Sequence, residues 1–371
     1  MKTAFTRRRF LAAAAAAAAG GLTSPAGRLC GAERPAGREA RHYRRLAGNK
    51  VQCGLCPWEC LVDDGKRGKC GVRENRGGRF YSLVYGRVAA SHVDPIEKKP
   101  FYHLLPGSPA YSMATVGCNF DCRFCQNWDL ARRRPEEAPV PELSAESVAE
   151  AAARARCPVI AFTYSEPTVF NEFAFDTAAA GRRLGIRSVV VSNGFIRREP
   201  LEDLCGVIDG YKVDLKSMDD RYYRSVCSGR LAPVLETLVR LRDRKVWCEI
   251  VYLVVPTLND SDAGFRMLSQ WVLKEMGPDV PVHFSRFYPQ YKLNNLPPTP
   301  AATLERAWSI SREAGLHFVY LGNLPGHEAE NTFCPGCHKA VILRSGFSVK
   351  ETHLRDGRCG FCGRVIPGVW A

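Results

Sequence analysis

Two hydrophobic periods run along this chain from residue 110 onward. Apolar, β-branched runs at 111–116, 159–164, 187–192, 211–215, 247–255, 282–288 and 317–321 read as strands. Amphipathic stretches at 146–156, 169–184, 234–244, 262–276 and 303–314 read as helices. Ser144 is placed to cap the first helix and Pro233 to open the third, while Gly185 and Gly315 follow the ends of the second and fifth. Strands alternating with helices predict an α/β fold with a parallel sheet, closed into a barrel or doubly wound.

Polar residues recur just past the C-terminal end of these runs. Three cysteines follow the first, Tyr164-Ser165-Glu166-Pro167 closes the second, and Ser192-Asn193-Gly194 the third. Asp214-Leu215-Lys216 goes with the fourth, and Val255-Pro256-Thr257-Leu258-Asn259-Asp260 follows the fifth. In a parallel barrel such ends converge on one mouth, where these folds carry their chemistry. One glutamate after a strand is more often a helix cap than a ligand group; four polar clusters in register with a cysteine loop reverse that weighting.

The N-terminus has a different character. Thr6-Arg7-Arg8-Arg9-Phe10-Leu11, eight alanines and Ser24-Pro25-Ala26 predict a twin-arginine export signal over 1–26 and a periplasmic destination. The alternative is a helical extension on a chain that stays cytoplasmic. The longest apolar run, 10–19, is half of the roughly 20 residues that cross a bilayer, so no membrane span is expected. The 371 residues suggest two or three folded units, and 46% hydrophobic with 24% charged is ordinary globular composition. The net charge of +14 falls to +10 without Lys2, Arg7, Arg8 and Arg9. The remaining basic residues are interleaved with acids, as in Arg197-Arg198-Glu199 and Arg242-Asp243-Arg244, so a nucleic-acid partner is not expected.

Eleven of the 16 cysteines fall into three spaced sets. Cys334-x2-Cys337-x21-Cys359-x2-Cys362 spans a short β-rich stretch and reads as a zinc ribbon, with disulfides or nucleic-acid contact as alternatives. Cys53-x2-Cys56-x3-Cys60-x9-Cys70 also offers four sulfurs, for zinc, an auxiliary iron–sulfur cluster or redox chemistry. Cys118-x3-Cys122-x2-Cys125 offers three. Iron–sulfur clusters take four protein thiolates as a rule, so a three-thiolate loop leaves one iron open to a small molecule. The alternative is zinc completed by a distant residue. Cys30, Cys157, Cys205, Cys227 and Cys248 stand alone and read as buried small hydrophobes.

Gly117-Cys118-Asn119-Phe120-Asp121-Cys122-Arg123-Phe124-Cys125 resembles the CxxxCxxC signature of the radical S-adenosylmethionine (SAM) superfamily. Ser192-Asn193-Gly194, Asp214-Leu215-Lys216-Ser217-Met218 and Val255-Pro256-x2-Asn259-Asp260 are similar to its glycyl-radical-enzyme activases, such as that of pyruvate formate-lyase. From about residue 40 onward the chain more closely resembles the radical SAM member of the AmmeMemoRadiSam group. That likeness rests on Cys53-x2-Cys56-Pro57, Tyr85-Gly86-Arg87, Asp94-Pro95-Ile96-Glu97-Lys98-Lys99-Pro100, Gly322-Asn323-x-Pro325-Gly326-His327 and Ile366-Pro367-Gly368-Val369-Trp370.

The resemblance implies a partial or full TIM-like barrel over 101–325, a Cys-rich metal module over 40–100 and a zinc-ribbon-like module over 330–371. It implies that Cys118, Cys122 and Cys125 hold a [4Fe–4S] cluster whose open iron chelates SAM. Reductive cleavage then gives a 5′-deoxyadenosyl radical for hydrogen abstraction. Glu166 matches the residue that receives the SAM amino group, Ser192 and Asn193 the ribose-side strand end, and Asp214 and Lys216 the segment near the SAM carboxylate. A one-electron donor such as flavodoxin or ferredoxin is implied, with a substrate, a protein among the candidates, that the residues do not identify. Two departures stand out. The activases' Gly-Gly-Glu-Pro turn is Tyr164-Ser165-Glu166-Pro167 here, and their Asp before the Thr-Asn-Gly equivalent is Val191. The readings from other classes are a metal-stabilised nucleic-acid-binding protein and a maturation scaffold without turnover.

Overall fold

In a computed structural model, residues 36–371 are described. The export signal and Cys30 lie outside them. Eight strands form the central sheet: β1 (Ala90–Pro95), β2 (Pro109–Ala114), β3 (Val159–Phe162), β4 (Arg187–Ser192), β5 (Gly210–Asp214), β6 (Trp247–Val254), β7 (Val282–Arg286) and β8 (Val319–Gly322). They lie side by side in sequence order; β2 to β8 are parallel and β1 pairs antiparallel with β2. Among the described residues no ladder joins β8 to β1, so the sheet is open and no closed barrel forms. All seven expected strands are present. The eighth comes from a segment whose sequence had been notable only for its likeness motif.

Six helices of eight or more residues connect or flank the strands: α1 (Ala145–Arg154), α2 (Asn171–Arg183), α3 (Arg198–Cys205), α4 (Ala232–Asp243), α5 (Asp262–Glu275) and α6 (Ala301–Glu313). Ser144 caps α1 by accepting the Ser147 N–H at 3.0 Å, and Gly185 and Gly315 follow α2 and α6 with φ of +72° and +109°. Only α3 has no counterpart among the expected helices. Its N-cap, Arg197, makes no side-chain cap bond, so the usual start signal is missing.

Alternation along each strand gives the sheet two unlike faces. Tyr211 and Val213 of β5, Cys248, Ile250 and Tyr252 of β6, and Val282 and Phe284 of β7 join the large apolar core beneath the helices. The residues between them, Lys212, Glu249 and His283, are buried on the other face. Glu249 accepts the N–H groups of Tyr102 and His103 at 3.0 and 2.9 Å, Trp247 Nε1–H at 3.1 Å and His283 Nε2–H at 2.7 Å. Burial works against this carboxylate, but its donors outweigh that and hold its pKa below the usual range. The segment it anchors carries Phe101 and Leu104, which pack on Ala110, Val159, Ala161 and Val189. The C-terminal tail docks on the same segment, with Val369 N–H donating to His103 O at 2.7 Å and Leu105 N–H to Val369 O at 2.8 Å. One end of the inner face is thereby sealed.

Small antiparallel ribbons flank this sheet. Residues 38–82 form two three-stranded sheets, and Thr332–Phe333, Ala340–Ser345 and Ser348–Thr352 form another before the hairpin of Leu354–Arg355 and Arg358–Cys359. No helix among the described residues is long and apolar enough to cross a membrane. Because Glu249 serves several buried donors, Glu249→Ala is expected to lower unfolding free energy by about 3 kcal/mol, read from the denaturant midpoint. Glu249→Gln, which keeps one acceptor oxygen, should lose less; equal midpoints in all three proteins would show that the anchor contributes nothing.

Candidate functional site

At the open end of the inner face lies a cavity of about 720 Å³, within the usual range of ligand sites. Cys118, Cys122, Cys125, Glu166, Ser192, Asn193, Asp214 and Lys216 all line it. The eight positions singled out by type and strand-end placement therefore converge, although up to 98 residues separate them in sequence. The cysteine loop follows β2 through Gly117, whose φ is +101° and whose Cα lies so close to Val72 that an added Cβ would meet Val72 Cγ1 at 2.5 Å. Only glycine fits that turn.

Glu166 organises the strand ends. Its carboxylate accepts Ser192 Oγ–H at 2.6 Å, Asn193 N–H at 2.9 Å and Thr168 N–H at 3.0 Å. A carboxylate has about four acceptor positions, so three bonds leave room for one more donor. Burial raises the Glu166 pKa, against the lowering effect of those donors. Asn193 passes the connection on: its Nδ2 donates to Asn119 Oδ1 at 2.8 Å, and Asn119 Nδ2 donates to Phe195 O at 2.9 Å. A residue inside the cysteine loop is thus bonded to the end of β4.

Beside them, Asp214 pairs with two lysines, Lys212 and Lys216, the latter at 3.0 Å. Burial works against all three charges, yet the pairing prevails at Asp214, drawn down to about 2, and at Lys216, which is raised. Lys212, with a smaller compensation, is lowered. A second such group lies along the same cavity: Asp94 bonds Lys98 at 2.8 Å, Lys99 at 2.5 Å and the Tyr164 hydroxyl. Glu97, Lys98, Lys99, Lys212, His283 and Asn323 were not singled out from sequence as site residues. Glu97, Lys98, Lys99 and Asn323 belong to likeness motifs without an assigned role. Lys212 and His283 are single polar residues inside apolar strands, a signal readable only once the sheet's two faces are known.

The thiols of the loop are raised, Cys118 by burial and Cys125 to about 11 for the same reason. For Cys122 the side chain of Cys227 acts with burial. The protein alone does not stabilise three thiolates here, so their ionisation depends on a cationic group seated among them. Cys227 is the one lone cysteine beside the loop, but it is fully buried and does not line the cavity. Among the described residues three cysteines, Cys118, Cys122 and Cys125, line this space.

The C-terminal set has a different geometry. Cys334 and Cys362 sulfurs lie 3.6 Å apart, Cys337 and Cys359 sulfurs 3.7 Å apart, and all four lie within 4.8 Å of one another. Four thiolates at about 2.3 Å from one metal ion form a tetrahedron with edges of about 3.8 Å. The set fits a closed, single-ion site, and Cys334 and Cys359 bury their side chains in a small core with Tyr102, Phe318 and Tyr320.

The radical SAM superfamily matches residues 113–265. The chain is similar to an uncharacterized protein of Methanocaldococcus jannaschii, at 43% identity over 331 residues, 89% of this chain and 98% of that protein. It is similar to the pyruvate formate-lyase 1-activating enzyme of Escherichia coli, at 26% identity over 216 residues, 54% of this chain and 87% of that enzyme. Among solved structures it is similar to Streptococcus suis SuiB bound to S-adenosylmethionine, with a TM-score of 0.47 at 14% identity, covering 62% of this chain and 53% of that one.

Cys337→Ala is expected to remove one metal ion per chain and lower the melting temperature while leaving the cavity's ligand binding in place. Loss of ligand binding at a temperature where the variant is still folded would show that the C-terminal ribbon is part of the site.

Proposed function

We propose, from the premise that this chain belongs to the radical SAM superfamily, that its cavity binds SAM against a [4Fe–4S] cluster held by Cys118, Cys122 and Cys125. The protein is a radical SAM enzyme that cleaves SAM for radical generation. When bound, the cluster supplies the electron that splits the sulfonium into methionine and a 5′-deoxyadenosyl radical. The observation that carries the assignment is the one cavity lined by three cysteines together with Glu166, Asn193 and Lys216.

The chain's own side chains have distinct tasks in this reading. Glu166 offers its remaining acceptor position to the SAM ammonium, a charge-assisted bond in a partly dry cleft. Lys216, kept cationic by Asp214, faces the SAM carboxylate. Ser192 and Asn193 stand at the ribose side, their geometry fixed by Glu166. In this reading the parallel strands form a partial TIM-like barrel with the cavity at its mouth. The motifs behind the AmmeMemoRadiSam likeness support that membership, because Glu97 to Pro100 and Gly322, Asn323 and Pro325 line the cavity, and the terminal Val369 pairs with Leu104. Zinc suits the C-terminal tetrahedron of thiolates, which leaves no open position.

The twin-arginine signal supports export of a folded, cofactor-loaded chain. SAM and low-potential reductants are cytoplasmic supplies, and periplasmic thiols tend toward disulfides, so loading precedes transport. In this reading a flavodoxin or ferredoxin delivers the electron in the cytoplasm, before transport. An epitope-tagged full chain is expected in the periplasmic fraction without its first 26 residues; a cytoplasmic pool with an intact N-terminus contradicts export.

The catalytic assignment is tested by anaerobic reconstitution, electron paramagnetic resonance of the reduced protein with and without SAM, and assay of 5′-deoxyadenosine. Cys122→Ala should lose the SAM-responsive signal and the product together. Glu166→Gln should keep the signal and weaken SAM binding about tenfold or more, the value of one charged hydrogen bond. SAM affinity unchanged by Glu166→Gln would remove that residue from the site, and a reduced cluster that yields no 5′-deoxyadenosine would favour a scaffold without turnover.

A further inference from the structure

The cysteine loop has two sides, and only one of them faces the cavity. Phe120, Cys122 and Phe124 line the cavity, while the residues between them, Asp121 and Arg123, do not. Arg123 is exposed and Asp121 keeps 33% of its side chain exposed, so the loop's other side is open to solvent. That outer side is framed from several parts of the chain. Lys292 donates its backbone N–H to Arg123 O at 3.0 Å and its ammonium to Asp121 at 3.0 Å, and Arg132 donates to Phe120 O at 2.9 Å. Trp58 Nε1–H donates to Asn119 O at 2.9 Å. The Lys69 ammonium lies 3.3 Å from the centre of the Trp58 ring, and the Arg230 guanidinium 5.6 Å from it.

Charge on this side is uneven. Two acids, Asp121 and Asp129, stand in the loop and in the turn after it, and Asp121 is already shared by Lys292 and Arg132. Asp220, the acid nearest Arg230, is held by Arg224 and by the Leu231 N–H. Lys69, Arg123 and Arg230 form no ion pair among the described residues. Beside these cations stands an exposed aromatic pair. Trp128, 42% exposed, stacks on Tyr291 with ring centres 5.4 Å apart and planes 8° apart, and the Lys292 ammonium lies 4.9 Å from the Tyr291 ring centre. Tyr291 belongs to the turn closed by the Gln290–Leu293 bridge and has a φ of +56°, a conformation that glycine adopts freely and a tyrosine only under strain. A strained surface tyrosine gains nothing from a core, and this one completes a flat apolar face amid positive charge. Tryptophan, tyrosine and arginine are the side chains that most often carry binding energy between proteins.

We infer that the outer side of the cysteine loop, with Arg123, Lys292 and the Trp128–Tyr291 stack at its centre, is the docking surface for an acidic one-electron carrier protein. The inference rests on the reading of the cavity as a SAM site with a cluster on the loop. In that reading SAM and substrate occupy the cavity side, so a carrier on the outer side meets neither and approaches the cluster across the loop alone. Electron-transfer encounters use small interfaces steered by opposite charge, and a few basic side chains beside one aromatic pair have that size and sign. A nucleic acid calls for a longer basic tract than this face offers. In the step itself one electron leaves the carrier, which is oxidised, and reduces the cluster on Cys118, Cys122 and Cys125; no atom passes between the two proteins.

The reconstituted full chain is assayed for 5′-deoxyadenosine with two reductants: a reduced flavodoxin, which must dock, and photoreduced deazaflavin, which need not. Arg123→Gln with Lys292→Gln is expected to raise the flavodoxin KM about tenfold at low ionic strength and to flatten the salt dependence of that rate. The deazaflavin-driven rate and the SAM-responsive resonance signal should stay unchanged. Tyr291→Gly removes the aromatic face at a position glycine occupies without strain, so it should fold and yet raise the same KM several-fold. An unchanged flavodoxin KM and salt dependence in both variants overturns the inference. So does an unaltered chain that turns over with deazaflavin but with neither flavodoxin nor ferredoxin, or a charge variant that loses duplex DNA and keeps flavodoxin. An unaltered chain that cleaves no SAM with any reductant defeats the catalytic reading instead. Oxidised flavodoxin titrated against the full chain then decides the surface, and equal affinity for the unaltered and charge-variant proteins, or none for either, overturns it.

Discussion

A buried carboxylate holds the site together. Burying an ionised glutamate costs several kcal/mol unless its acceptors are met, and Glu166 meets that cost only when the ends of β3 and β4 stand side by side. Its partners come from those two strand ends, Ser192 and Asn193 after one and Thr168 after the other. Asn193 then bonds Asn119 within the cysteine loop. The loop's position is thus fixed by the sheet before any metal arrives. Such preorganisation matters for an open-cornered cluster, whose three thiolates must be presented together while the fourth direction stays clear.

The same sheet explains why one end of the inner face is open and the other closed. Helices cover the apolar face, and alternation then forces Lys212, Glu249 and His283 onto the opposite one. Polar groups buried there need partners or water. At the closed end Glu249 gathers backbone and ring donors, and His103 joins Tyr320 at 2.6 Å and Pro367 O at 2.7 Å. At the open end aspartates bridge pairs of lysines along the cavity, and these groups stay within reach of a ligand. Sealing and function are two solutions to one burial problem.

The repeated strands and helices were legible because periods of two and 3.6 survive in single sequences and caps such as Ser144 mark the boundaries. The cysteine loop and the strand-end residues were legible because chemistry collects at the ends of parallel strands. Other features depend on tertiary pairing. No local pattern tells whether β8 meets β1, so the barrel's closure could not be read. Cys227 looked like an isolated buried thiol, and only the return of the chain after β5 brings it against Cys122. Lys99 and Lys212, far apart in sequence, become neighbours in charge: burial lowers the Lys99 pKa, and Lys212 lowers it further. The α3 helix lacked a cap to announce it.

Cysteine spacing illustrates a further limit. A CxxC pair sets how closely two sulfurs can approach, but nuclearity depends on how the two halves of a set are brought together. In the C-terminal set Leu354–Arg355 and Arg358–Cys359 form a hairpin that returns Cys359 and Cys362 onto Cys334 and Cys337, and the four close to a single-ion tetrahedron. In the N-terminal set Cys53 ends one small sheet and Cys70 leads into another, and Arg73 is fixed between them by Glu172 of α2. A fully buried arginine cannot withdraw without stranding its glutamate, so this pair ties the cysteine module to the helix that carries Glu172.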